Sequence, residues 1–334
     1  VLLFAYRAQT VDASFELDED SLPSVAAVCR RLDGMPLAIE LAAARARVLS
    51  VAQIEERLTD RFRLLTGGSR TALPRHQTLQ ATVDWSHDLL DEPERVVFRR
   101  LAAFRGGFTL GTAERVASGG DVDEFDVLDL VSQLVDKSMV VRDEGRDRFH
   151  MLETLRQYAL GKLTESDEVD EVRTRHARAY LDLAEQAEPH LRGSEQVEWF
   201  DLLEDDHDNF RAALAYCFEH GLEEIAVRMT TAVSWFWRVR GYLVEGVEWQ
   251  ERCLQHLDAA EPVTALYLRI MTAANYSFLG HGEFPAKAME LSGEVGADAL
   301  VLGDPMLLGH AYSSRSIAAS GVWELDEAIE AAQR

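Results

Sequence analysis

The chain of 334 residues carries 34 Lys and Arg against 58 Asp and Glu, a net charge of −24, with 47% apolar residues and eight prolines. That length predicts two or three domains, and that composition predicts a folded globular chain and not a disordered one. No apolar run reaches the roughly 18 residues of a membrane span, and the sparse cysteines (Cys29, Cys217, Cys253) fit buried thiols of a reducing, cytoplasmic compartment.

In chain order, residues 1–75 read as three or four short helices. Leu3, Phe4 and Arg7-Ala8 belong to the last turns of a helix, and the sequence begins at Val1 without a methionine, as expected of a piece of a larger protein. The acidic run Glu16 to Asp20 leads to Pro23, placed where a helix start tolerates a missing N–H. Val25, Val28, Cys29 and Leu32 follow at helical spacing. Gly34 ends that helix and Pro36 opens the next, whose Leu37, Ile39 and Leu41 are set among alanines suited to close packing. Ser50 and Gln53 form a capping box for a helix bearing Ile54, Leu58 and Phe62, and Thr66 to Ser69 make a turn.

Residues 76–165 have another rhythm. Thr78 caps a helix with Leu79, Val83, Trp85, Leu89 and Leu90; Asp91 and Glu94, on either side of Pro93, cap the next, with Val97, Phe98, Leu101 and Phe104. Gly106-Gly107 breaks it. Thr109 starts a short helix, and Phe125 to Val135 forms another whose apolar residues are Phe125, Leu128, Val131 and Leu134-Val135. Met139-Val140-Val141 and Arg148 to Met151 flank Asp143-Glu144-Gly145, a hairpin signal, and a helix from Leu152 to about Leu163 closes the unit. Helices followed by one β-hairpin wing predict a winged helix.

From residue 170 the chain reads as helix without a strand. Gly241-Tyr242-Leu243, Gly282-Glu283-Phe284 and Gly321-Val322-Trp323 begin 41 and then 39 residues apart, each a turn, an aromatic and a helix with small residues. That period predicts an α-solenoid, with unrelated helical hairpins as the alternative. The fold class expected is therefore mainly α: a helical subdomain over 1–75, a winged helix over 76–165, and repeats over 170–334 that stop incomplete.

Catalytic signatures are missing from the sequence. No glycine pair is followed by the lysine of a P-loop, whose backbone N–H groups cradle phosphates. Asp121, Asp123 and Asp126 lack the glycine and glutamate of a calcium loop, and Glu204 to Asp208 reads as an acidic helix start complementing the helix dipole. The segment is thus expected to be no enzyme and to hold no metal. Of the charged residues, 1–75 carry ten basic and ten acidic, and 76–165 eleven and seventeen, leaving thirteen and thirty-one for 166–334. A net charge of −6 over the winged helix and −18 beyond it argues against a phosphate backbone, so the expectation is no direct nucleic-acid binding by this segment.

Taken together, Cys29-Arg30-Arg31-Leu32-Asp33-Gly34-Met35-Pro36-Leu37-Ala38-Ile39-Glu40-Leu41, Thr78 to Ser86, Phe104 to Phe108, Leu134 to Ser138 and Met151 to Arg156 carry a resemblance. The chain resembles NB-ARC-type (STAND) signal-transduction ATPases of the bacterial, actinobacterial-style transcriptional-regulator kind, over about residues 1–255. The resemblance implies a nucleotide-dependent switch, with ADP or ATP and magnesium in the parent protein, which would be a slow ATPase, and none bound securely by this segment alone. It places Gly34, Met35 and Pro36 against the nucleotide, the proline near the adenine. It also places Met151, Leu152 and Glu153 where relatives carry a Met-His-Asp sensor of the ADP β-phosphate; Leu152 has no hydrogen to donate there. The winged helix is then an internal switch element, and the repeats, with Trp235, Phe236, Trp237 and Trp249, dock a protein partner or a small-molecule signal. Oligomerisation of the parent is a further implication. An interaction scaffold without nucleotide, or the regulatory module of a nucleotide cyclase, are the alternatives.

Overall fold

The computed structural model describes residues 1–12, 15–32, 34, 36–43, 46, 49–57, 83, 87, 90–136, 139–143, 145–303 and 305–321. The expected cap at Thr78, Leu79, Trp85, the turn at 66–69, and Val322-Trp323 lie outside them. The chain divides into two compact units: Val1–Ala103 with Gly107–Val172, and Phe104–Gly106 with Arg173–Arg334.

In the first unit, α1 (Leu2–Val11), α2 (Leu22–Arg31), α3 (Pro36–Ala43) and α4 (Val51–Arg57) gather Phe4, Ala8, Val25, Val28, Leu32, Ile39, Ala42 and Ile54 into one core. The Ser50 capping box forms as the sequence predicts: Ser50 N–H donates to Gln53 Oε1 at 3.0 Å, and Gln53 N–H to Ser50 Oγ at 3.3 Å.

The same unit holds a winged helix. Asp91 and Glu94 make a reciprocal capping box for α5 (Glu92–Leu101), which buries Val97, Phe98 and Leu101. Thr109 and Thr112 do the same for α6 (Leu110–Ala117). Helix α7 (Asp126–Asp136) packs on α5 and α6, and α8 (Glu153–Glu165) packs on α5. Three short strands, β1 (Phe108–Thr109), β2 (Val141–Arg142) and β3 (Arg148–His150), form an antiparallel sheet in the order β1-β3-β2. The hairpin β2–β3 was legible in the sequence; β1 was not. Phe108 faces Phe149 in register, their rings stacked with centroids 6.0 Å apart. Gly107, at φ +121°, lets this strand approach: a Cβ there would lie 2.9 Å from the Phe149 carbonyl oxygen.

The rest is helical among the described residues: α9 (Val169–Ala187), α10 (Gln196–Asp205), α11 (His207–Glu219), α12 (Glu223–Arg240), α13 (Leu243–Cys253), α14 (Pro262–Leu279), α15 (Phe284–Leu302) and α16 (Pro305–Gly321). Short 3-10 turns cover Glu188–His190 and Leu254–Ala259. Helix α12 packs on α13 and α14, α14 on α15 and α16, and α15 on α16, which is a repeat-like stack. The structure corrects the repeat register. Left-handed glycines end α12 at Gly241 and α14 at Gly280, so the counterpart of Gly241 is Gly280 and not Gly282.

Candidate functional site

Helix α7 is amphipathic in a way its apolar residues alone do not reveal. Val127, Leu130, Val131 and Leu134 point into the winged-helix core. Its outer face exposes Asp126, Asp129, Ser132 and Gln133. Leu128, half exposed, shares that side, and Phe125 just before the helix is 90% exposed, so two of the apolar residues of this stretch face solvent. The Ser132 hydroxyl donates to the Leu128 carbonyl at 2.8 Å and keeps its lone pairs for a ligand. On the wing, Arg142 and Arg146 are exposed, with Arg142 Nη2 3.2 Å from Asp147 Oδ1. His150 Nδ1 meets Asp143 Oδ1 at 2.6 Å and ties the two wing strands.

Arg99, Arg100 and Arg156 of this domain are structural. The Arg100 side chain is 7% exposed, and its Nη1 donates to the carbonyls of Ala117 and Gly119 at 2.7 and 2.8 Å. Arg99 and Arg100 both hold Glu168. Burial pushes the Glu168 carboxyl up, but hydrogen bonds from the two guanidiniums outweigh it and leave its pKa below the ordinary value. Arg156 is gripped by Glu153 and reaches the Ala102 carbonyl at 3.3 Å.

The residues singled out in the sequence fall in two places. Gly34 sits at φ +67° after α2 and is exposed, and Pro36 is the exposed first residue of α3. Met35 between them lies outside the described residues. Met151 is buried, Leu152 is the N-cap of α8, and Glu153 opens that helix with its oxygens taken by Arg156 and Gln157. Among the described residues no three His, Cys, Asp or Glu are gathered as a metal ion requires. The outer face of α7 escaped the sequence reading. Its signal was the polar set at 129, 132 and 133, spaced three and four residues apart.

Residues 90–164 match the winged helix-turn-helix domain family. Over 257 residues, 76% of this chain, the sequence is 45% identical to "Putative HTH-type transcriptional regulator Rv0890c" of Mycobacterium tuberculosis, covering 29% of that protein. A Mycobacterium bovis protein named as the same kind of regulator shows the same identity and coverage. "Uncharacterized protein Rv0894" of Mycobacterium tuberculosis is 47% identical over 179 residues, 53% of this chain and 46% of its own length. The chain thus spans less than half the length of each of these relatives. A crystal structure of a signal transduction ATPase with numerous domains and a tetratricopeptide repeat sensor, from Pyrococcus horikoshii, aligns at 12% identity and TM-score 0.38, over 89% of this chain and 46% of that one.

The match and the relatives' names overturn one expectation, that this segment makes no direct nucleic-acid contact. The physical reason is that a domain average is the wrong quantity. Residues 90–164 hold eleven basic and fourteen acidic side chains, a smaller excess than the −6 taken over 76–165. Base readout needs a helix of the right girth with hydrogen-bonding groups on one face, and only a few local cations.

Proposed function

We propose that this chain is part of a transcriptional regulator in which α7 of the winged helix enters the DNA major groove while the wing steadies it on the backbone. The observation that carries the reading is the outer face of α7. Asp129 suits the amino group of cytosine, Gln133 suits adenine, and Ser132 serves either. Phe125 offers an apolar surface for a thymine methyl group. Arg142 and Arg146 suit phosphate oxygens. The acidic groups on α7 leave little non-specific attraction, so specificity rests on the base contacts.

Selection of duplexes from a random library tests this. A defined site is expected to emerge. Gln133→Ala is expected to cost about 1–3 kcal/mol on that site and to relax one base position. A library that yields no preferred sequence would overturn the reading.

A second, finer reading is favoured by the turn at Gly34 and Pro36, both exposed and so accessible to a ligand. In it the regulator is a cytoplasmic switch set by ADP or ATP, and this segment binds without catalysing. Pro36→Ala in the full-length protein is expected to weaken ADP binding several-fold in calorimetry. Unchanged affinity would make Pro36 helix punctuation alone.

A further inference from the structure

We propose that the helical repeats contain a binding site for a small organic monocarboxylate. Within the second unit, a cavity of about 530 Å³ opens among the 3-10 turn before α10 and helices α9, α12, α14 and α16. Its size falls within the range of small-molecule pockets. Pro189, Val263 and Leu307 give it an apolar wall, and Arg192, Tyr267 and His310 a polar one.

The charges around this cavity are not balanced. Arg228 on its rim is satisfied, since Glu185 takes its Nε and Nη2 at 2.8 and 2.9 Å and Glu224 its Nη1 at 3.2 Å. Arg192 is less so: its Nη2 donates to the Tyr267 hydroxyl at 2.7 Å, and its Nη1 stands 3.5 Å from Glu188. Arg238 shares the same indole. The guanidiniums of Arg192 and Arg238 lie 4.8 and 5.1 Å from the Trp235 ring centroid. Arg238 also lies 4.8 Å from the Phe278 ring and donates through Nε to Asn275 at 2.8 Å. Its Nη2 is buried with no hydrogen-bond partner. Among the described residues no carboxylate pairs with Arg238.

Two guanidiniums thus crowd one aromatic ring, with a single carboxylate near one of them, in a segment where acids outnumber bases by thirty-one to thirteen. Burial and the neighbouring Arg192 push the Arg238 pKa down to about 10. Burial, then Arg192 and Arg238, also hold the His310 imidazole below its usual range, so it is neutral and able to donate or accept. Arg192 is exposed at the cavity wall, whereas Arg238 against Trp235 is partly buried with its Nη2 unpartnered, and two guanidiniums on one ring are relieved by a nearby anion. A carboxylate seated on Arg192 would supply that anion, with its apolar body along Val263 and Leu307. Glu185 and Glu188 at the rim would repel a dianion, which favours a single negative charge.

The test uses phenylacetate and hexanoate as probes, with phenylacetamide and phenethylamine as neutral and cationic matches, titrated into the chain and followed by calorimetry. At least one carboxylate is expected to bind about tenfold or more tighter than the amide, with no heat from the amine. Arg192→Gln, at the cavity wall, and Arg238→Gln are each expected to remove most of that preference. Equal binding of the amide, binding of neither carboxylate at millimolar concentration, or full carboxylate affinity in both variants would overturn the proposal. The comparison among probes stands even if Arg238→Gln fails to fold.

Discussion

The winged helix and the repeats bury polar groups by opposite means. In the winged helix the buried polar side chains include full charges, Glu94, Arg100, Arg148 and Arg156: Glu94 accepts from the Asp91 N–H, Arg100 donates to the Ala117 and Gly119 carbonyls, and Arg156 to Glu153 and the Ala102 carbonyl. In the repeats the buried polar side chains are mostly neutral and hydrogen-bond to one another, with the buried carboxylate of Asp206 among them. Asn209 Nδ2 and the Tyr180 hydroxyl both donate to Asp206, the Trp237 indole donates to His207, and Asn275 donates to Gln250, which donates to Ser234. The difference follows from geometry. A small domain with many helix ends offers carbonyls that a guanidinium can satisfy, whereas faces of stacked helices offer none, and a charge there meets the full desolvation penalty. Asp206, buried with its full charge, is met by the Tyr180 hydroxyl and the Asn209 amide, whereas Arg238 keeps a buried Nη2 without a partner beside Arg192, on which a ligand is proposed.

The largest expected effect breaks this comparison on its charged side. Arg100→Ala removes one of the two partners of Glu168 and strands two carbonyls, and should cost about 3–5 kcal/mol. Peptide-resolved hydrogen exchange should show the loss across residues 90–164 while protection over α11 to α14 stays as it was. An equal loss in both regions would mean that they are not stabilised separately.

A smaller effect comes from acid and falls on the repeats. His176, wholly buried, is pushed down to about 4, first by burial, although Asn209 and Asp206 act the other way. The unfolded chain takes up that proton near 6.5, so between these values the unfolded state binds more protons and stability falls as pH falls. The loss from this residue is about 2 kcal/mol by about pH 5 and about 3 kcal/mol by about pH 4. His207, also held low by burial, acts in the same direction. Glu168 in the winged helix is held below its ordinary carboxylate value, so its contribution is full above that ordinary value and is lost as pH falls below it. Five of the six tryptophans, all but Trp85, lie beyond residue 170, so urea unfolding followed by tryptophan emission should show the midpoint dropping between neutral pH and about pH 5. A midpoint that holds constant would show that His176 does not set the acid limit.

Much of the fold could be read from the sequence because its punctuation is local. The boxes at Ser50 with Gln53 and Asp91 with Glu94, Pro23 near the start of α2, and the turn between β2 and β3 are interactions over a few residues. What escaped was decided at a distance. Strand β1 exists because Phe108 finds Phe149 some forty residues later. Periodicity placed Phe125 and Leu128 on an apolar face without telling which face meets the core, and both turned outward. The pairing of Arg192 with Arg238 across Trp235 joins residues from separate helical elements, so no spacing announces it. The charge of a whole segment, finally, says little about the few groups that meet a base pair.

In the proposed complex α7 reads sequence with little help from the phosphate backbone. This is tested most directly by fluorescence anisotropy of the selected duplex across a range of salt concentrations. With two wing arginines as phosphate contacts, the slope of log affinity against log salt should be about −2, and Gln133→Ala should lower affinity about tenfold without altering that slope. A slope several-fold steeper, or full affinity in the Gln133→Ala chain, would contradict it.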